Sequence, residues 1–239
     1  TANAGKRGVS GDITLSTGTT SFGDSGFMEI HTGVALGGKG GYIDLFVGTG
    51  NTGVGGDVSV TAGMTTAAAR TGGKITMVSG YSSPASSGLI RLSTANAGTS
   101  GVSGAIHFST GTSSSGNSGM MTLFTGVANQ GHGGDIQLSV GSGNLLNGGD
   151  VIVVAGETTA LASVGGTISL TAGLGSFSGQ GDGGDGGPIF LTGGEARGAT
   201  ALTDVGGSIS LTGGKAAAAS GGSINLTTGQ GVASSSGNV

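Results

Sequence analysis

Cysteine and tryptophan are absent from the 239 residues, and proline occurs only twice, as Pro84 and Pro188. Without cysteine there are no disulfides and no thiolate metal sites. With no tryptophan, seven phenylalanines and two tyrosines, a conventional aromatic-rich globular core is not expected. Charge is equally scarce, at 8% of residues and a formal net of -4. A protein that binds nucleic acid through phosphates carries a basic face, and none can be assembled here, because Lys6, Arg7, Lys39, Arg70, Lys74, Arg91, Arg197 and Lys215 are scattered. No apolar run approaches the roughly 20 residues that cross a bilayer, so membrane insertion is not expected. The chain opens at Thr1 inside a repeat, without a basic-then-apolar leader, and is therefore expected to be a piece of a longer protein.

Glycine, by contrast, supplies 58 residues. Collagen would place it at every third position with abundant proline, which two prolines exclude. A disordered glycine/serine linker would lack recurring branched aliphatics, yet 35% of this chain is hydrophobic and its mean hydropathy is +0.22. The aliphatics are ordered by a repeat. A phrase of the form Gly-x-Ile-x-Leu-x-x-Gly, as in GDITLSTG from Gly11 and GGSINLTTG from Gly221, recurs fourteen times. Its two apolar positions form the expected core ladder: Ile13 and Leu15, Met28 and Ile30, Ile43 and Leu45, Val58 and Val60, Ile106 and Phe108, Ile136 and Leu138, Ile168 and Leu170, Ile209 and Leu211, Ile224 and Leu226, with the remaining phrases apolar at both places. The spacing is mostly 15 residues and widens around Ile189.

A longer period overlies the short one. TANAG at Thr1 returns at Thr94, and GVSGDITLSTGT at Gly8 returns as GVSGAIHFSTGT at Gly101, an offset of 93 residues that spans six phrases. The chain thus reads as one continuous domain, 1–239, made of super-repeats 1–93 and 94–186 and a degenerate third block, 187–239.

Alternation with period two is the mark of a strand. Ile13, Leu15 and Thr17 share one face, and Thr14 and Ser16 the other. The glycine that closes each phrase is expected to make a tight corner through positive φ or close backbone approach, and the Gly/Ser/Thr/Asn segments between phrases are expected to be turns. One such strand can neither cover its Ile/Leu face nor pair its backbone edges, whereas stacked copies about 4.8 Å apart do both. The expected fold is all-β: a parallel β-solenoid, or β-helix, of about 14 short strands. Two sheets with about 30 residues per coil is the favoured arrangement. Three strands per coil divide the six-phrase block equally well, and one strand per 15-residue coil also fits the spacing.

The phrases GDITLSTGTTSFGDSG, GGDVSVTAG and GGTISLTAG resemble the long glycine-rich tandem-repeat proteins of diatoms and related marine algae, along nearly the whole chain. That resemblance implies a secreted, cell-surface or extracellular-matrix location and carries no catalytic residues with it.

Candidate sites are few. Nucleophilic catalysis needs a base and an orienting acid beside a nucleophile, and the three histidines fall at unrelated positions: His31 and His107 at different outward strand places, His132 in a loop. No enzyme activity and no cofactor are expected. GQGDGGDGG, with Asp182 and Asp185, loosely suggests a calcium loop, but it occurs once and reads better as a loop insertion. The recurring Asp12, Asp57, Asp135 and Asp150 suit side-chain bonds at strand entrances. Asn225-Leu226-Thr227 matches a glycosylation sequon. The outward strand faces carry the most information. Thr14, Ser16, Ser59, Thr61, Ser169 and Thr171 would form hydroxyl ladders fit for a regular surface such as ice or polysaccharide. Phe46, Phe124, Ile152, Val154 and Phe190 interrupt them and point to self-association. The expected function is therefore a structural repeat protein of an extracellular filament, sheath or adhesive, with a surface-binding module as the alternative.

Overall fold

The computed structural model describes residues 1, 3–5, 8–177, 179, 183–200, 203–232 and 235–238. Two units are distinguished, Thr1–Met121 and Thr122–Val239. Each is an alternation of straight phrases and closed loops. Bends fall at the loop tips, at 21–23, 36–38, 51–54 and 67–69 in the first unit and at 129–131, 144–147 and 160–162 in the second, while the phrases run without bend, turn or helix. Among the described residues no segment is bonded as a helix or as a strand ladder.

Every loop closes at the same place. The glycine that opens each phrase, two residues before its first apolar residue, lies against the third inward residue of the phrase before it. At Gly26 an added Cβ would sit 3.5 Å from Thr17 Cβ, at Gly41 3.4 Å from Thr32 Cβ, and at Gly56 only 2.8 Å from Val47 Cγ1. Where the third residue is small the backbones themselves approach: a Cβ at Gly166 would lie 3.0 Å from the Gly156 nitrogen, and at Gly207 2.9 Å from the Gly194 nitrogen. In these tighter necks the glycine N–H donates across the gap, Gly73 to Gly63 O at 2.8 Å, Gly166 to Gly156 O at 2.8 Å, Gly207 to Gly194 O at 2.8 Å and Gly222 to Gly214 O at 2.8 Å. No second bond follows toward the phrases, which leave the neck unpaired among the described residues. The connection is therefore an arch, in which side chain meets backbone, and not a hairpin, whose ladder would continue.

The requirement for glycine consequently lies at the start of the phrase. The closing glycines Gly18, Gly33, Gly48, Gly63 and Gly80 have open space where a Cβ would stand and none has its φ in the left-handed region. The expectation of positive φ there is corrected, and Ala95 occupies that slot in the sixth phrase. The close backbone approach is met at Gly63 and Gly156, whose carbonyls accept from the Gly73 and Gly166 N–H groups at 2.8 Å. Positive φ belongs to the loop tips. It recurs with the 93-residue offset, at Gly8 and Gly101 (128° and 142°), Gly23 and Gly116 (93° and 108°), and Ala69 and Ala162 (56° and 55°). Local hydrogen bonds recur in the same way: the Ala67 N–H donates to Thr65 Oγ1 and the Ala160 N–H to Thr158 Oγ1, both at 3.2 Å. At one site the copies differ in residue and agree in conformation, Gly53 at 75° and Leu146 at 61°. The duplication thus preserves loop geometry as well as wording.

The necks grade the burial of the phrases without completing it. Outward apolar residues such as Phe27, Met120 and Phe124 are 77–87% exposed. The second inward position, from Leu15 to Leu226, is 60–78% exposed, and the first, from Met28 onward, 49–62%. The third position, beside the neck, is most covered, with Ala62, Ser79, Ala155, Ala172 and Thr228 half-buried. No described hydrophobic residue is buried. The accessible surface of 23792 Å² compares with about 9,400 Å² for a compact fold of this mass and about 32,000 Å² for its extended chain. The inward and outward classes of side chain are thus distinguished, and the apolar ladder positions are left uncovered.

The necks make a direct prediction. Gly207→Ala sets a Cβ against a backbone nitrogen and is expected to open its loop, so that the residue-207 amide exchanges with solvent about tenfold faster. Gly134→Ala, whose nearest neighbour is Thr125 Cγ2 at 3.7 Å, leaves its loop unchanged. Equal effects of the two substitutions in hydrogen-exchange mass spectrometry would contradict the neck.

Candidate functional site

Three kinds of surface result from this arrangement. The first is the inward pair of each phrase. Successive loops bring the third inward residue of one phrase to the entrance of the next, so Thr17 is placed near the start of the phrase that holds Met28 and Ile30. Thr17 Oγ1 donates to Gly26 O at 3.3 Å, which fixes that entrance. Along each phrase the apolar side chains then stand uncovered beside backbone groups that have no partner among the described residues. An apolar stripe flanked by free N–H and C=O groups is the edge that another strand pairs with.

The second surface is the outward hydroxyl set. Thr14, Ser16, Ser59, Thr61, Ser169 and Thr171 are all exposed. None of the six makes a side-chain hydrogen bond within the chain among the described residues, unlike loop hydroxyls such as Thr20, which donates to Phe22 O at 2.7 Å, and Ser113, which donates to Ser115 O at 3.2 Å. The strand hydroxyls are therefore free to bond outside the chain. The third is the outward apolar set, Phe46, Phe124, Ile152, Val154 and Phe190, each more than three-quarters exposed.

The polar candidates are placed separately. His31 and His107 are exposed on their phrases, and His132 lies in its loop with Nδ1 3.1 Å from Gly133 O, where the Nδ1–H tautomer donates. Asp182 lies outside the described residues, and Asp185 is exposed. No group of three or more His, Cys, Asp or Glu that could hold a metal occurs among the described residues. Asn225 is exposed, as a sequon asparagine needs to be. No helix among them is long and apolar enough to cross a membrane.

One loop carries ordered charge that the repeat did not point to. Between Gly194 and Gly207, Arg197 donates from Nε and Nη2 to Glu195 Oε2, at 3.0 and 2.9 Å. Both side chains are exposed, so this pair holds a geometry more than it stabilises the fold. Asp204 does more. Its Oδ2 accepts from the Thr200 N–H at 2.6 Å, while the Thr203 and Asp204 N–H groups donate to Thr200 O at 3.1 and 3.0 Å. The carboxylate lies over Gly198, where any Cβ would collide with it. The available signal was an Asp a few residues from a Thr inside an enlarged loop, the composition of a side-chain-closed turn.

The chain matches no family model, and comparison with curated proteins and with solved structures finds no significant match.

The Asp204 turn can be tested by cleavage. Asp204→Ala removes the acceptor for the Thr200 N–H, a bond worth about 1 kcal/mol, and trypsin should then cut after Arg197 about fivefold faster. Asp204→Asn, which keeps an acceptor, should stay near the parent rate. Identical rates for all three chains would show that the carboxylate does not hold the loop.

Proposed function

We propose that the chain is a non-catalytic structural repeat protein: a parallel β-solenoid segment with two strands per coil. Its copies associate end to end or laterally into an extracellular filament, sheath or adhesive. The observation that carries this reading is the uncovered ladder. Fourteen phrases place two apolar residues in register, and each phrase from Met28 onward leaves its first inward residue 49–62% exposed while its backbone lacks ladder partners among the described residues. Both deficits are removed together by stacking phrase on phrase at the strand spacing, because apolar burial and edge pairing act at the same surface. A sequence this repetitive offers the same ladder in every phrase, so stacking propagates between copies as readily as within one.

The arch supports two strands per coil. Consecutive phrases that meet at a neck and do not pair face one another through side chains, as strands of opposite sheets do. Hydrogen bonding then runs between alternate phrases. The resemblance to secreted algal repeat proteins supports the location.

A second reading rests on the free hydroxyls. Exposed, unbonded Ser169 and Thr171, with Ser59 and Thr61, suit a regular array such as ice or polysaccharide, and the chain would then act as a surface-binding module.

Sedimentation separates the two. The structural reading expects mass to rise with concentration into the assembly range, and expects Ile168→Asp with Leu170→Asp to raise the assembly threshold at least tenfold by placing charge on the ladder. Thr14→Ala with Ser16→Ala should leave it unchanged. A monodisperse monomer at all concentrations, together with thermal hysteresis or retention on glycan surfaces that Ser169→Ala and Thr171→Ala abolish, would favour the surface-binding module.

A further inference from the structure

On the two-strand coil proposed above, consecutive phrases lie in opposite sheets and alternate phrases stack in the same one. In the unit Thr122–Val239 this parity sorts the outward side chains. Phe124, Ile152, Val154 and Phe190 all belong to alternate phrases, those whose first apolar residues are Met121, Val151 and Ile189, while the last phrase of that parity, from Ile224, presents Asn225 and Thr227. The phrases between them, which begin with Ile136, Ile168 and Ile209, present Gln137, Ser139, Ser169, Thr171, Ser210 and Thr212. Not one large apolar residue stands outward in that second set. Three strands per coil would send the three apolar phrases to three different faces, and one strand per coil would interleave them with hydroxyls. Only the two-strand coil separates them, and the arch at each neck supports that coil independently.

We infer that this unit is two-faced and that its apolar face is covered by the same face of a second copy of the chain. Area supports a macromolecular partner. At about 150 Å² for each of the two phenylalanines and less for Ile152 and Val154, the face offers on the order of 500 Å² before its flanking threonines are counted, more than half of the roughly 800 Å² that one partner brings to a stable interface. Spacing selects the partner. A surface that covers a ladder must present apolar groups at the coil repeat of about 4.8 Å, and a second copy presents that repeat. Within this unit charge does not oppose the pairing, since Asp150, at a phrase entrance, is the one charged residue in these three phrases, and in the first unit the phrases of the same parity bring Glu29 and Arg91, which are opposite in sign. The paired assembly is two solenoids thick and shows hydroxyl faces on both outer sides, where the Ser/Thr ladders meet their surroundings.

This inference rests on the filament reading, and mass per length separates their failures. Fourteen phrases at two per coil make seven coils, about 34 Å at the strand spacing, so 22.2 kDa corresponds to about 0.7 kDa per Å for a single solenoid and about 1.3 kDa per Å for a pair. Parent fibres measured by scanning transmission electron microscopy should show the higher value. Ile152→Lys with Phe190→Lys should halve it and keep the strand repeat, and if lysine abolishes fibres, Ile152→Thr with Phe190→Thr should halve it instead. Ser169→Lys with Ser210→Lys should leave it unchanged. Parent fibres of single-solenoid mass overturn the two-faced pairing alone, as does halving by the Ser169/Ser210 variant or unchanged mass in both apolar-face variants. No parent fibres at any concentration would overturn the filament with it.

Discussion

The neck governs what this chain can become. A glycine two residues ahead of the first apolar residue of each phrase lets the preceding phrase approach to van der Waals distance, tightly at Gly166 and at Gly207 closer than a Cβ would permit. That contact closes each loop with at most one backbone bond and then lets the phrases separate. A hairpin would have satisfied neighbouring phrases against each other and ended the matter locally. Among the described residues the arch leaves the edges of each phrase unpaired and both apolar inward residues uncovered, and on the proposed reading the stabilising contacts come from phrases further along the chain or from another chain. Repetition in the sequence is the device that makes such contacts available, because every phrase offers the same edge and the same ladder.

The exposure gradient gives this constraint a physical scale. Covering the first inward position to the level of a buried aliphatic would contribute about 1.5–3 kcal/mol at each phrase when complete, and it is that position, with the neck beside it, that the loops already begin to shelter. The second position gains more area, since it starts more exposed. Ordering a glycine-rich chain is costly in entropy, which is why partial shelter of one phrase by its own loop does not suffice and why stacking is the proposed remedy. The 93-residue duplication matters here as well. Conserved loop geometry between Gly23 and Gly116, and between Ala69 and Ala162, keeps the arches alike from block to block, and like arches are needed for ladders to stay in register.

Much of this was legible before the structure. Exposure separates the outward residues Phe27 and Met120, at 86% and 87%, from the first inward residues from Met28 onward, at 49–62%, while the second inward residues overlap the outward ones, Leu45 at 78% beside Phe124 at 77%. The super-repeat found in Thr1–Gly5 and Thr94–Gly98 returns as matched φ values and matched Thr65 and Thr158 turns. The role of glycine is divided between two positions: Gly18 and Gly33 stand in open space with no positive φ, and Gly26 and Gly41 carry the close approach, which at Gly63 and Gly156 reaches the closing glycine's own backbone. Composition could not distinguish these, because both glycines recur with the phrase and only a neighbour distant in sequence makes one of them necessary. The Asp204 turn was not anticipated for the opposite reason, since it occurs once. Coil size belongs to the stacking itself, and neither phrase spacing nor a single neck determines it. Within the second unit the parity of Phe124, Ile152 and Phe190 against Ser169 and Ser210 favours the two-strand coil, whereas Phe46 and Val78, in the third and fifth phrases, fall on the other parity.

The central claim is that uncovered ladders stack with strands perpendicular to a long axis, two per coil and three coils per 93-residue block. X-ray diffraction from an aligned, concentrated sample tests it most directly. Stacked coils give a sharp meridional reflection near 4.8 Å, accompanied by a weaker one near 14 Å from the three-coil block. Diffraction without a meridional strand repeat, or with the 4.8 Å spacing on the equator, would show that the phrases do not stack along the axis and would contradict it.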